Sequence, residues 1–220
     1  MMELLPRELD PEKTKAAFKS VARFYDIWSW LTERKAAQRV IACAGVNDGE
    51  AVLEVACGTG VVFEQLVQRN PNGTTVGIDF SPEMLERAKR RLQKSPYSHY
   101  ELKPGDALHL EFDDGAFDLV VNNFMVDLMP YDTFNPIAQE FYRVLKPGGS
   151  VVVSTFSFGE TRVHRLWFWV AKLFPDLLTG CRPVAFKTHL EKAGFEIETA
   201  LQISQNTFPT EVIKARKIVA

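Results

Sequence analysis

Short apolar runs and helically spaced apolar positions alternate along most of this chain. Residues 14–44 read as two helices, the second from about Glu33 to Ala44, with Val40, Ile41 and Ala44 at helical spacing and Gly45 as its stop. Ala51–Val55 is a compact apolar run that meets a glycine turn, and Val61–Arg69 is helical again. Thr74–Asp79 is a second strand. Ser81 as N-cap, Pro82 at the first helical position and the acids Glu83 and Glu86 then open another helix. Strands over Tyr100–Lys103, Phe117–Asn122 and Ser150–Phe156, with a helix over Tyr131–Leu145, continue the pattern. Strands alternating with helices predict a mostly parallel sheet covered on both faces.

Residues 157–183 break the rhythm. A helix over Ala185–Ala193 follows, then two β-rich segments, Phe195–Ile203 and Thr207–Lys217. The polar stretch between these two leaves no room for a crossover helix, so they should pair antiparallel. The expected fold is a Rossmann-like α/β domain: a seven-stranded, mostly parallel sheet with its last strand reversed. A single domain over residues 1–220 accounts for the whole chain, with 1–45 as an N-terminal helical cap and 157–183 as a lid-like insert.

The chain has 220 residues, 46% hydrophobic and 25% charged, the balance of a soluble globular protein with its own core. A net charge of −2 gives no electrostatic case for a nucleic-acid partner. Cys43, Cys57 and Cys181 make no metal-ligand spacing, and neither do His99, His109, His164 and His189, so no metal is expected. Free, scattered cysteines suit a reducing cytoplasm. Residues 1–15 lack the apolar core of a signal peptide, and no window approaches a membrane span. The expectation is a cytoplasmic protein that at most touches a membrane surface; its oligomeric state is not legible.

The chemistry concentrates in Leu53-Glu54-Val55-Ala56-Cys57-Gly58-Thr59-Gly60, a strand running into a small-residue turn and then a helix. Such a turn lets backbone approach a ligand and aims helix N-terminal N–H groups at it. Asp79, closing the next strand, stands where an acid can accept both hydroxyls of a ribose. Together these features suit an adenosine-containing ligand. A dinucleotide site would carry a third glycine where this chain has Phe63, which disfavours an NAD or FAD reading.

These residues resemble the class I S-adenosylmethionine-dependent methyltransferases, and more narrowly those that C-methylate ubiquinone and menaquinone precursors. The resemblance runs from about Val21 to Lys217. It is carried by Ala22-Arg23-Phe24-Tyr25-Asp26, the Leu53–Gly60 turn, Gly77-Ile78-Asp79-Phe80-Ser81-Pro82-Glu83-Met84-Leu85, Gly105-Asp106-Ala107, Phe117-Asp118-Leu119-Val120 and Arg143-Val144-Leu145-Lys146-Pro147-Gly148-Gly149. It implies S-adenosylmethionine as cofactor. Glu54 would face its methionine amino group, with Ala56, Cys57, Gly58, Thr59 and Gly60 beneath it and Tyr25 beside it. Asp79 would hold the ribose, Phe80 and Met84 flank the adenine, Asp106 accept from the adenine amino group, and Ala107 offer its backbone. Asn122 and Asn123 would lie near the methyl donor and the acceptor. Ala56 replaces the first glycine of most class I enzymes, as the quinone-type enzymes tolerate.

The acceptor is less legible. An O- or C-acceptor can need a base, and the candidates are Asp127 and His164, with Tyr25 as an orienting hydrogen-bond partner; His164 between Arg162 and Arg165 reads equally as a surface residue. The quinone enzymes usually carry an Arg-Asn pair after the fourth strand, where this chain has Asp127-Leu128. Substrate identity therefore does not carry over: the acceptor is expected to be a small or lipid-like molecule, whether a quinone-type ring, a lipid headgroup amine or another small metabolite. The insert from Leu166 to Leu178 is almost wholly apolar and holds two of the four tryptophans. It reads as a helix packed on the core, as a lid over residues 163–178 whose Trp167, Phe168, Trp169 and Phe174 line an acceptor pocket, or as a membrane or partner contact. Arg182 could meet an anionic acceptor or cap a helix. A cofactor-binding regulatory or assembly subunit without turnover is the alternative to an enzyme.

Overall fold

A computed structural model describes residues 34–93, 95–174 and 180–218. In chain order these form α1 (Arg34–Ala44), β1 (Ala51–Val55), α2 (Val61–Arg69), β2 (Thr74–Asp79), α3 (Pro82–Leu92), β3 (Tyr100–Pro104), β4 (Phe117–Asn123), α4 (Phe134–Val144), β5 (Leu145–Phe156), α5 (Arg162–Leu173), α6 (Lys187–Lys192), β6 (Phe195–Gln205) and β7 (Phe208–Lys217). The seven strands lie in the order β3-β2-β1-β4-β5-β7-β6. All pairings from β3 across to β5 are parallel, and β7 runs antiparallel to both of its neighbours. The β6–β7 hairpin closes through Asn206 and Thr207, both at positive φ (49° and 69°), the backbone of a two-residue primed turn.

Alternation along the strands divides the core into two layers. Leu53, Val55, Val120, Val151, Val153 and Ile213 face α4 and α6, packing with Phe134, Ile137, Phe141, Phe186 and Leu190. Their neighbours Val52, Leu119, Val121, Val152 and Val212 face the other way, onto Val40 and Ile41 of α1 and Val62 and Leu66 of α2. The strands are therefore apolar on both faces, as parallel strands under helices must be. No helix among the described residues is long and apolar enough to cross a membrane. Of the expected N-terminal cap, residues 1–33 lie outside the description.

Two boundaries differ from the sequence reading. Lys146-Pro147-Gly148-Gly149, which lies between the expected helix and the expected strand, falls inside β5 as an irregularity: Phe117 pairs with Leu145, but Leu119 pairs with Ser150. Gly148 at φ 78° supplies the turn chemistry within the strand. The helix expected from Tyr131 begins as a 3₁₀ turn over Tyr131–Thr133, and α-helical geometry starts at Phe134.

Phe63, where a dinucleotide fold would have glycine, is fully buried. The space it needs comes from the strand: a Cβ on Gly77 of β2 would lie 2.8 Å from both the Phe63 ring and Leu102. Helix and strand still approach closely, with the missing side chain moved to the other partner. Gly77→Ala should therefore overpack this contact and cost about 2 kcal/mol. For a chain of this size that is a Tm lowered by roughly 4–8 °C in a thermal melt. Phe63→Leu should recover part of the loss in the Gly77→Ala background; strictly additive losses would rule the interlock out.

Candidate functional site

The parallel register brings the strand ends to one edge of the sheet. Val55 pairs with Ile78 on one side and Asn122 on the other, and Asp79 pairs with Pro104. The turn after β1, the end of β2, Asp106 after β3 and Asn122 of β4 thus share the carboxyl edge where the strand order reverses between β1 and β4. In open α/β sheets this is the place for a ligand crevice.

The turn is built from several constraints. Ala56 sits at φ 58°, Gly58 at 55° and Gly60 at 81°; the left-handed backbone at Ala56 costs roughly 1–2 kcal/mol that glycine would avoid. The Cys57 N–H donates to the Ile78 carbonyl (2.9 Å), and the Thr59 carbonyl accepts from Arg91 Nε of α3 (2.8 Å). A Cβ on Gly60 would stand 3.1 Å from that of Ala88, so α3 lies directly against the turn. Gly60 is the N-cap of α2 and offers no side chain, which leaves the first N–H groups of that helix without a side-chain cap.

Asp79 ties the turn to β2. Its Oδ2 accepts from the Gly58 N–H and its Oδ1 from the Ser81 N–H, both at 2.8 Å. Burial raises its pKa against the pull of those two N–H bonds. Glu54 is wholly buried, and its Oε2 has no hydrogen-bond partner. Burial and the nearby Asp79 push its carboxyl well above the usual range. Asn122 donates to the Val55 carbonyl (2.8 Å), while its buried Oδ1 accepts nothing. Among the described residues, the edge thus presents buried oxygens that lack donors and two carboxylates that lack a cation. Burial, then Glu54 and Asp79, raise the Cys57 thiol well above its ordinary value, so it is a turn residue rather than a nucleophile.

On the β2–β3 side, Phe80 is 55% exposed while Met84 behind it is buried. Asp106 is exposed, and its Oδ1 accepts from the Leu108 N–H (2.9 Å) in a local turn; Ala107 is buried. Beyond β4, Asn123 Oδ1 accepts from the Ser154 hydroxyl (2.6 Å). Asp127 is fully buried, with its Oδ2 accepting from Cys181 Sγ at 2.7 Å. Arg182, also buried, donates to the Asp127 and Met129 carbonyls, so it caps the 3₁₀ turn Val126–Leu128 rather than waiting for an anion.

His164 requires a correction. Its Nδ1 accepts from the Glu160 and Thr161 N–H groups while Thr161 Oγ1 accepts from the His164 N–H, a reciprocal cap at the start of α5. A ring nitrogen so used is unavailable as a base. The insert is corrected in part: Phe168 faces inward and Trp167 packs against the core, its Nε1 donating to Thr207 Oγ1 (3.1 Å), whereas Trp169 and Phe174 are 52% and 61% exposed. Tyr25 and residues 175–178 lie outside the described residues. One arrangement escaped the sequence reading. Buried His189 of α6 lies 2.7 Å from Asn135 Oδ1 through Nδ1 and 3.3 Å from the Tyr131 hydroxyl through Nε2. With Nδ1 protonated toward Asn135, Nε2 accepts from Tyr131; burial, with Lys192, lowers the imidazole pKa and favours that neutral form. Histidine and tyrosine are 58 residues apart, and no local motif announces the pair.

The carboxylate pair has a consequence for stability. Because the folded-state pKa of Glu54 is raised, the native protein holds a proton that the unfolded chain releases near pH 4.5. Stability should fall as pH rises from there through the folded pKa. Without ligand, Glu54→Gln should melt higher than the parent at pH 8, by at least about 3 °C, which is roughly 1 kcal/mol in a chain of this size. The gain should vanish near pH 4.5. Equal melting temperatures at pH 8 would mean that the buried charge is compensated.

Residues 52–149 match the family model described as a methyltransferase domain. The chain is 32% identical over 182 residues to an arsenite methyltransferase of Halobacterium salinarum, covering 78% of this chain but only 43% of that protein. It is 32% identical to a demethylmenaquinone methyltransferase of Lactobacillus johnsonii, covering 76% of this chain and 70% of the relative. It is 31% identical to a ubiquinone/menaquinone biosynthesis C-methyltransferase of a Geobacter species, covering 76% and 73%. The crystal structure of magnesium protoporphyrin IX methyltransferase from Synechocystis shares the fold, with a TM-score of 0.76 at 16% identity, covering 94% of this chain and all of that one. The sheet order, the turn at its reversal point and these relatives together assign the chain: it belongs to the class I S-adenosylmethionine-dependent methyltransferases.

Proposed function

We propose that this enzyme methylates a small, apolar, lipid-like acceptor of the quinol type. The observation that carries the cofactor half of the reading is the uncompensated pair Glu54 and Asp79 at the strand-order reversal. A sulfonium and an ammonium group on one ligand supply the positive charge that this pair lacks, and the orphaned Glu54 Oε2 and Asn122 Oδ1 are acceptors with room for donors. In this reading Glu54 takes the ammonium. Asp79, each of whose oxygens already accepts one backbone N–H, turns its remaining lone pairs to the ribose hydroxyls. Ala56, Cys57, Gly58, Thr59 and Gly60 pass beneath the ligand, Phe80 and Met84 bracket the adenine, Asp106 and Ala107 read its edge, and Asn122 and Asn123 border the reacting groups.

When bound, S-adenosylmethionine supplies an electrophilic methyl group for in-line displacement, so the protein's share is largely proximity and alignment. The acceptor side is supported by the names of the quinone relatives. The residues at the place of the Arg-Asn pair, Asp127 and Leu128, differ, and Asp127 is engaged by Cys181. Proton removal from an acceptor falls more naturally to Tyr131, which is 44% exposed with His189 behind it, than to Asp127 or His164.

Calorimetry with S-adenosylmethionine, S-adenosylhomocysteine and NADH on one preparation tests the cofactor half; NADH binding with silence from the other two would refute it. Asp79→Ala should weaken S-adenosylhomocysteine binding at least roughly tenfold, since a hydrogen bond to a charged group is worth about 1.5–3 kcal/mol. Circular dichroism should be unchanged. Labelled methyl transfer into a lipid extract, with arsenite as a parallel acceptor, tests the other half: label in the aqueous arsenite product alone would overturn the quinol-type reading.

A further inference from the structure

Of the large apolar side chains left exposed among the described residues, Val163, Leu166, Trp169, Leu173 and Phe174 all belong to α5 or the residue that ends it. Each is more than half exposed. Val163, Leu166, Trp169 and Leu173, three or four residues apart, share one stripe, and Phe174 extends it at the helix end. The opposite side of α5 is fully used: Ala171 is buried, Trp167 and Val170 pack against Phe124, Phe156 and Phe208, and Phe168 faces Phe158. The helix is therefore apolar on two sides, and among the described residues only one of them is packed against the core.

Its charges have one sign. The sequence Arg162–Leu173 carries Arg162, Arg165 and Lys172 and no Asp or Glu, in a protein whose net charge is −2. Lys172 stands over the Trp169 ring at 5.7 Å, a placement that keeps the ammonium beside the apolar stripe. Apolar stripe, tryptophan and flanking cations with no acid are the features of a helix lying in the interface of an anionic bilayer. The location fits as well. The inner face of α5 rests on Phe124, just past the end of β4, and on Phe156, the end of β5, so the stripe crowns the sheet edge that carries the cofactor turn.

We propose that the outer face of α5 docks this enzyme on the surface of an anionic lipid bilayer. This deepens the reading of a lipid-like acceptor, because it names the surface from which such an acceptor arrives. The stripe enters the interfacial region while the exposed Arg165, which flanks it, meets lipid phosphates. The acceptor then passes from the bilayer to the adjoining sheet edge without crossing water.

The test is flotation of the full chain with vesicles of phosphatidylcholine alone or with about one third phosphatidylglycerol. The parent should float with the anionic vesicles, less with neutral ones, and less again in high salt. Leu166→Ser with Leu173→Ser should weaken partitioning roughly tenfold or more, with S-adenosylhomocysteine affinity unchanged and no loss of melting temperature. Absence of flotation overturns the proposal, as does flotation that the double variant leaves intact. A dimer in sedimentation velocity that the double variant dissolves, without vesicle binding, would assign the face to a second copy instead. Loss of S-adenosylhomocysteine binding in the parent would strike the methyltransferase reading and leave the docking result standing, so the two can fail separately.

Discussion

Two carboxylates, Glu54 and Asp79, are held out of water at the one place in the sheet where the strand order reverses, and among the described residues no cation lowers the pKa of either. Everything else at that edge can be understood as what it takes to keep them there. The parallel register of β1 and β2 pairs Glu54 with Gly77, so Asp79 follows two residues later on the same face of the sheet, at the same edge. The turn after β1 accepts positive φ at Ala56, Gly58 and Gly60 so that a backbone N–H can reach Asp79. Arg91 then holds the turn by its Thr59 carbonyl, from outside, leaving the acids unneutralised. Supplying a buried arginine instead would have stabilised the empty fold and abolished the charge that a cationic ligand needs. Strain and like-charge repulsion stored at a binding site in this way are the ordinary cost of preorganisation.

The same edge shows how one scaffold is turned from one adenosine ligand to another. A dinucleotide fold clears room between its first helix and the sheet by removing a side chain from the helix. Here the helix keeps Phe63, and the strand gives up its side chain at Gly77. The ring fills the gap, meets Tyr100 edge to face at 6.1 Å, and joins Leu85 and Leu92 of α3 in one cluster. This packing fixes α3 against the turn, which is why Gly60 has α3 backbone so close to it. The exchange of glycine for phenylalanine is thus a change in which element yields space, and the closeness of approach is conserved.

How much of this could be read in the sequence follows from the range of each interaction. Elements whose signal is local were legible: the Ser81 cap with Pro82 behind it, the Gly turn after β1, and the hairpin at the end, whose linker is too short for a helix. The site was legible where residues act through backbone position, as Asp79 does, because parallel strand ends must meet at one edge. What sequence could not reveal depends on partners far away in the chain. His164 looks like a free imidazole until the Thr161 cap is seen, and Tyr131 acquires a base only when α6 brings His189 to it. Arg182 offered two readings, and the 3₁₀ turn 53 residues earlier decided between them. The Lys146–Gly149 run failed differently: its turn chemistry was read correctly, but pairing of Leu145 with Phe117 places it within a strand.

The apolar composition of α5 sets the last constraint. A helix with one apolar face would have been enough to cover Phe124, Phe156 and Phe208, and the sequence from Val163 to Phe174 has apolar residues well beyond that need. Leaving each large side chain in water forgoes roughly 1.5–3 kcal/mol of burial, a cost that contacts among the described residues do not recover on the outer stripe. Trp167 is spared it by packing edge to face on Phe208 at 5.2 Å, while its Nε1 donates to Thr207, a β-branched residue that itself occupies a strained positive φ in the hairpin turn. The sheet edge thus carries two features side by side, a buried carboxylate pair at the turn and exposed hydrocarbon on α5. The cationic cofactor of the class answers the first, and the docking proposed above would answer the second.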